Sequence, residues 1–192
     1  MNRITIDPVT RLEGHGKIEI FLDDTGAVRD SYFQIPELRG FEQFVVGRPI
    51  EELPQIVTRI CGVCPASHHL AAAKAVDGCF GGEIAPLAAK LREMYYHAHY
   101  LHSHIAHFYL LAAPDFVCGP GADPAVRNVL GLVAKVGVET GKAVIEARAK
   151  AQEIQKIIGG RSTHVVWCLP GGVSKGLKAE ELESIRPLVA DL

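Results

Sequence analysis

Cys61 and Cys64, separated by Gly62-Val63, are the residues of this chain best equipped for chemistry. Two thiols at this spacing can reach one metal ion or close a redox disulfide. Arg59 stands two residues before the pair, and His68 four residues after Cys64. A guanidinium beside a thiol favours the thiolate and offers paired donors. Four residues along a helix, His68 can share a face with Cys64 and donate a hydrogen bond to a ligating sulfur. The plainer alternative for His68 is a satisfied core histidine. His69 points to another side of the helix and reads as structural.

Two thiolates do not complete a tetrahedral or larger metal site, and the 192 residues hold no second Cys-x-x-Cys. Three functional readings of the pair follow. A thioredoxin-like pair would open a helix after a strand in a βαβ unit, which the helix-rich surroundings do not match. Half of a structural zinc site would need ligands from Cys79, Cys118, Cys168 or a histidine. Half of a redox-metal site would be completed by another segment. The bland alternative is two buried, unreactive thiols. Cys79, Cys118 and Cys168 are isolated from one another and read as core cysteines.

Five histidines crowd one later stretch: His97, His99, His102, His104 and His107. At about 100° per residue, His97, His104 and His107 share one arc, while His99 and His102 fall on the other side. Polar facing toward water or a neighbouring subunit is the expectation. A three-histidine metal site is the alternative, and the spacing gives a proton-conducting role no support.

Composition bounds the answer. The chain is 48% hydrophobic and 22% charged with a net charge of −2, which reads as a globular, soluble domain. Lys and Arg are dispersed, so nucleic acid and anionic lipid are not expected partners. No apolar run reaches membrane-spanning length, and no signal peptide is visible. Five cysteines at irregular spacing do not look like a disulfide framework, so a reducing cytoplasm is expected.

Elements that must position these residues can be read from pattern. A first strand is predicted from Arg3 to Asp7. Lys17 to Leu22 alternates polar and apolar, Asp24-Thr25-Gly26 signals a turn, and Val28 to Ile35 returns, so 17–35 reads as a hairpin. From residue 40 the pattern is helical. Short helices are expected near 40–46 and from Glu51 to Val57. Ser67 is the expected cap of a helix running to about Gly78. A long helix is predicted over 86–112, with Leu87, Leu91, Met94, Leu101, Ile105 and Phe108 recurring at helical steps. Asp123-Pro124 reads as the cap and first position of another, running to about Ile158. Its buried side would hold Val126, Val129, Val133, Val136, Val144, Ala147, Ala151 and Ile154. Gly159-Gly160 would end it. Residues 161–177 read as a Gly-rich loop, and Lys178 to Leu192 as a helix still running at the last residue.

At this point the chain resembles the N-terminal part of the large subunit of [NiFe]-hydrogenases. Asp7-Pro8-Val9-Thr10-Arg11-Leu12-Glu13-Gly14-His15 is similar to that family's opening motif. Arg39-Gly40-Phe41-Glu42, sixteen residues, then Arg59-Ile60-Cys61-Gly62-Val63-Cys64 reproduces its first signature in spacing. Thr58 departs from the residues usual at its position. Phe108 to Phe116 and Pro170-Gly171-Gly172-Val173-Ser174 also resemble large-subunit segments. Pro36 to Glu42 is similar to the cytoplasmic, cofactor-coupled groups.

The resemblance implies an α+β, mostly α fold: an N-terminal antiparallel sheet followed by long packed helices. It is expected as a single domain over 1–192, β-rich over 3–35 and helical over 40–192. It also implies roles. Cys61 would be a terminal thiolate on nickel, and Cys64 would bridge nickel to an iron carrying CO and cyanide. Glu13 would be the first proton acceptor, or else an ion-pair residue, with Arg11 a candidate partner. Glu42 would ligate a structural Mg2+ or Fe2+. Arg59 and His68 would support the thiolates. The family's C-terminal Asp-Pro-Cys-x-x-Cys motif is missing, so the chain carries half of the thiolates and is expected to be inactive alone. Its implied partners are H2, an iron–sulfur small subunit, an electron-acceptor module and a segment or second chain bearing the missing motif. Two rivals are a metal-free scaffold related to the complex I large subunit, which would need neither thiol, and a small Cys-x-x-Cys redox or zinc module.

Overall fold

The computed structural model describes residues 2–192. Alternation of side chains in the first segment produces a meander of three antiparallel strands: β1 (Asn2–Ile6), β2 (Lys17–Leu22) and β3 (Val28–Gln34). Ile4 pairs with Ile20, and Ile20 with Ser31. The β2–β3 turn is closed by Asp23, whose carboxylate accepts from the Thr25 and Ala27 N–H groups at 2.8 and 3.0 Å. An Asp side chain that mimics a turn carbonyl is the reason such residues mark hairpins.

The remainder is helical. After α1 (Phe41–Phe44) come a 3-10 turn at Ile50–Glu52, α2 (Leu53–Ile56), a second 3-10 turn at Val57–Ile60, α3 (Pro65–Phe80) and α4 (Pro86–Ala106). Then follow a π-helical stretch at His107–Ala112, α5 (Ala113–Val117), α6 (Val129–Val136) and α7 (Val138–Gly159). A two-strand ladder, β4 (Cys168–Leu169) and β5 (Gly172–Val173), precedes α8 (Ala179–Ala190). The fold is thus mostly α with a small antiparallel sheet. Its contacts fall into two compact units, one ending at Gly40 and the other Phe41–Leu192. The sequence reading expects one domain and places the change from β to helix at the same point.

Several expected boundaries move. Pro65 begins α3, and Cys64, not Ser67, holds the cap position. The helix expected from Asp123 to Ile158 is two. Asp123 serves a turn, accepting from the Ala125 N–H at 2.9 Å. Asn128 is the true cap of α6, accepting from the Leu130 and Gly131 N–H groups. Gly137, at φ 90°, separates α6 from α7 in a conformation that L side chains rarely adopt. Gly160, at φ 80°, ends α7 as expected, its N–H bonded to the Lys156 carbonyl at 2.8 Å.

The buried face of α4 also differs from the one expected. It is Ala88, Leu91, Arg92, Tyr95, Ala98, His99 and His102, while Leu87 and Phe108 are exposed. On α7 the buried residues are Ala151, Ile154, Gln155 and Ile158, and Val126 and Val136 lie outside the core. Small residues let the helices approach. A Cβ on Gly159 would come within 2.9 Å of the Tyr95 ring. The core gathers Ala66 and Leu70 from α3, Leu91 and Tyr95 from α4, Ile154 and Ile158 from α7, and Val165 and Trp167. Each large apolar side chain buried there contributes about 1.5–3 kcal/mol.

Candidate metal centre

The cysteine turn is shaped by its flanks. Thr58 in the preceding 3-10 turn is fully buried and donates from Oγ1 to the Gln55 carbonyl at 2.7 Å. Cys61 is extended, and Cys64 occupies the cap of α3, with Pro65 at the first helical position. The Cys64 N–H points at Cys61 Sγ, 3.1 Å away. In the structure the two sulfurs are joined to each other, with Cα atoms 5.5 Å apart. As thiolates the same turn would present both to one ion. Both sulfurs and a ring nitrogen of His68 lie within 4.8 Å of one another. The positive end of the α3 dipole favours negative charge at this point.

Two soft sulfurs and an imidazole converging on one point suit a soft or borderline transition metal. They leave its remaining positions to other ligands. Among the described residues this is the only such cluster of His, Cys, Asp and Glu. The histidines of α4 form no three-membered group of that kind among the described residues.

Comparison with known proteins gives this geometry a context. The model of the nickel-dependent hydrogenase family matches residues 39–125, and a HoxL-like model matches residues 3–38. This chain belongs to the nickel-dependent hydrogenase family. It is 50% identical over its full length to an F420-non-reducing hydrogenase iron-sulfur subunit of Archaeoglobus profundus, of which it covers 40%. It is equally similar, over 96% of its length, to an F420-non-reducing hydrogenase vhu subunit of Methanocaldococcus jannaschii, covering 44% of that protein. A solved NAD+-reducing [NiFe]-hydrogenase in its H2-reduced state superposes with a TM-score of 0.85 at 43% identity. That match spans 99% of this chain and 44% of the solved one. The chain therefore spans less than half the length of these relatives.

Within this chain the expected site residues are distributed as follows. Cys61, Cys64 and His68 come together. Arg59 is the third residue of the 3-10 turn at Val57–Ile60, two residues before Cys61, and is exposed. Glu42 is the second residue of α1 and exposed. Glu13 lies in the loop joining β1 to β2 and is also exposed. That loop is tied across its base by the Val9 N–H on the Gly16 carbonyl at 2.8 Å. His15 within it meets Glu37 at 2.6 Å.

Sequence reasoning misses the buried polar groups behind the turn. His69 is fully buried. Its Nδ1 lies 2.7 Å from the Pro54 carbonyl, and its Nε2 receives the Cys168 N–H at 3.0 Å. Burial lowers its pKa; the Arg92 charge acts in the same sense, and the Pro54 hydrogen bond opposes. Asp77 and Arg92 form an ion pair with side chains 7% and 5% exposed. Together they grip the β4–β5 ladder. Asp77 accepts from the Gly171 N–H at 2.7 Å, and Arg92 donates to the Leu169 and Gly172 carbonyls at 2.8 and 2.7 Å. Burial works to raise the Asp77 pKa, but the hydrogen bonds and charge of Arg92 and the Gly171 N–H outweigh it. The Pro170-Gly171-Gly172 signal thus marks a small ladder held by buried charge. Alternation of polar and apolar residues carries no sign of it.

Ser67 has a different task from capping. Its Oγ lies 3.0 Å from His99 Nε2, and His99 Nδ1 lies 3.1 Å from His102 Nε2. Both rings are buried, so the expected polar facing toward water does not hold for this pair. Burial, reinforced by His99 and Arg148, lowers His102 to about 4.

Proposed function

We propose that this chain supplies the two-thiolate, N-terminal part of the catalytic subunit of a [NiFe]-hydrogenase, which interconverts H2 with protons and electrons. The observation that carries the reading is the convergence of the Cys61 and Cys64 sulfurs with the His68 ring within 4.8 Å. It occurs inside the segment matched by a nickel-dependent hydrogenase model. When bound, the nickel–iron centre would supply open positions at which H2 is split heterolytically.

This chain's residues would hold and serve that centre. Cys61 would be a terminal thiolate on nickel, and Cys64 would be shared between nickel and an iron carrying CO and cyanide. His68 would donate a hydrogen bond to a ligating sulfur, and Arg59 would stabilise thiolate charge. Glu13 would take up the released proton on a carboxylate oxygen. Glu42, a hard oxygen donor, would hold Mg2+ or Fe2+. The two further thiolates would come from a segment or chain outside these residues. Electrons would leave through an iron–sulfur small subunit to an acceptor module, in the cytoplasm. Among the described residues no helix is long and apolar enough to cross a membrane.

The test is metal analysis and H2-dependent dye reduction of the assembled enzyme. Wild type should carry stoichiometric nickel. Cys61→Ser and Cys64→Ser should each lose nickel and reduce activity to background, whereas Cys79→Ser and Cys118→Ser should keep both. Equal losses across the four variants would show that the ligands lie elsewhere.

A further inference from the structure

We infer that His69 is the positioning residue of the cysteine turn. Its ring closes the loop that carries Arg59, Cys61, Cys64 and His68, and ties that loop to the strand at Cys168. In its bearing on a metal centre, the inference rests on the hydrogenase reading above.

The two segments that meet the His69 ring present mismatched polar groups. On one side is the Pro54 carbonyl, fifteen residues before it, which can only accept. On the other is the Cys168 N–H, ninety-nine residues after it, which can only donate. The Trp167 N–H lies on the same side, 3.4 Å from Nε2. These partners assign the ring. Nδ1 carries the proton and donates to Pro54, while Nε2 is bare and accepts from Cys168. A neutral imidazole has one donor and one acceptor on different edges, and so satisfies both groups at once. Lys and Arg only donate, and a carboxylate only accepts. An aliphatic side chain would fill the space and leave a buried carbonyl and a buried N–H without partners.

The link to Pro54 has a consequence for the sulfurs. Pro54 is the second residue of α2, seven residues before Cys61, and His69 is on α3, five residues after Cys64. Between these two points lie the whole cysteine turn and Arg59 and His68. Thr58 fixes the early part of this loop through Gln55. The Ser67 and His68 N–H groups, both bonded to the Cys64 carbonyl, fix the late part. The His69–Pro54 bond joins the two ends. Metal ligands act only when held close to the productive geometry by packed, hydrogen-bonded supports. His69 is that support on the side of the helices.

Two substitutions separate its two bonds. The carboxamide of His69→Asn reaches as far as Nδ1 and keeps the link to Pro54. That of His69→Gln reaches as far as Nε2 and keeps the link to Cys168. Both are made in the complete hydrogenase and followed by site-resolved amide exchange and by the electron paramagnetic resonance of nickel. In His69→Gln the amides of Cys64, Ser67 and His68 should exchange about tenfold faster, the change expected for one lost hydrogen bond. The nickel signal should shift in line shape at unchanged nickel content, and the Cys168 amide should stay protected. In His69→Asn the Cys168 amide should exchange about tenfold faster, with the cysteine turn and the nickel signal near wild type. The same pattern in both variants, no change in either, or failure of both to assemble would make His69 a general core residue and overturn the inference. A wild-type enzyme without nickel would refute the hydrogenase reading instead, and the exchange pattern would still decide the role of His69.

Discussion

Two buried carboxylates set the two units of this chain apart. Glu19 is the buried side chain of the N-terminal sheet. It faces Arg3 at 3.4 Å and Lys17 at 3.3 Å, and accepts from Gln34 at 3.1 Å. Its cationic partners are 57% and 29% exposed, and every side chain of β1 and β3 is exposed. Asp77 in the helical unit has a partner, Arg92, as buried as itself. Water can replace what Glu19 loses. It has little access to Asp77 or Arg92, so each needs the other. The sheet is a frame of backbone ladders with an open surface, on which even Ile4, Val28 and Phe33 are exposed. The helical unit is a closed core in which buried charge is met by buried charge.

The comparison sharpens first on chemistry, where the open unit carries the largest expected effect. Glu13→Gln in the complete enzyme keeps size and most hydrogen bonding but cannot accept a proton. H2 oxidation and H/D exchange should both fall by about 10²–10⁴, with nickel content retained. Turnover near wild type, or loss in step with metal and stability, would remove Glu13 from the proton path.

Stability should show the reverse order. Asp77→Ala or Arg92→Ala leaves a charge buried without its partner, a loss of about 3–5 kcal/mol in chemical denaturation. Values under about 1 kcal/mol for these variants would erase the distinction drawn between the units. Acid should separate them next. His69, His99 and His102 all have pKa values lowered by burial, His102 to about 4. The unfolded chain binds protons at its ordinary histidine pKa, near 6.5, while the folded core refuses them. Stability should therefore be complete above about pH 6.5 and should fall as pH drops toward the His102 value of about 4. In the sheet the Asp23 carboxyl is lowered, first by its hydrogen bond from the Thr25 side chain. Its contribution is lost only below the ordinary carboxylate range. Amide exchange followed down in pH should show the helices loosening before the hairpin. The smallest effect is Arg3→Ala, expected within about 1 kcal/mol because the pair it breaks is open to water.

The legibility of the sequence follows the same division. The hairpin can be read because alternation and an Asp-rich turn are local signals. The cysteine turn and its His68 can be read because helical spacing fixes which side chains meet. The caps are harder. Ser67 and Asp123 have the right side chains for helix starts, but α3 already begins at Pro65 and α6 begins only after Asn128. Ser67 is drawn to His99 on another helix, a contact thirty-two residues away. The buried face of α4 escapes the pattern because Arg92, His99 and His102 are polar. A hydrophobic pattern cannot show that a charge will be paired once buried. His69 can be read as structural, but its partners at Pro54 and Cys168 are set by tertiary packing alone.

Trp167 is the one tryptophan of the chain. It is 1% exposed, with its ring centroid 5.5 Å from that of Tyr95 and its indole N–H on the Lys175 carbonyl at 2.9 Å. Its backbone lies beside the His69 ring. The protein thus carries an intrinsic optical probe at the junction where α3, α4 and α7 meet the strand. A blue-shifted emission would report a dry junction. A red shift on metal removal, denaturant or substitution would time the entry of water there without any attached dye.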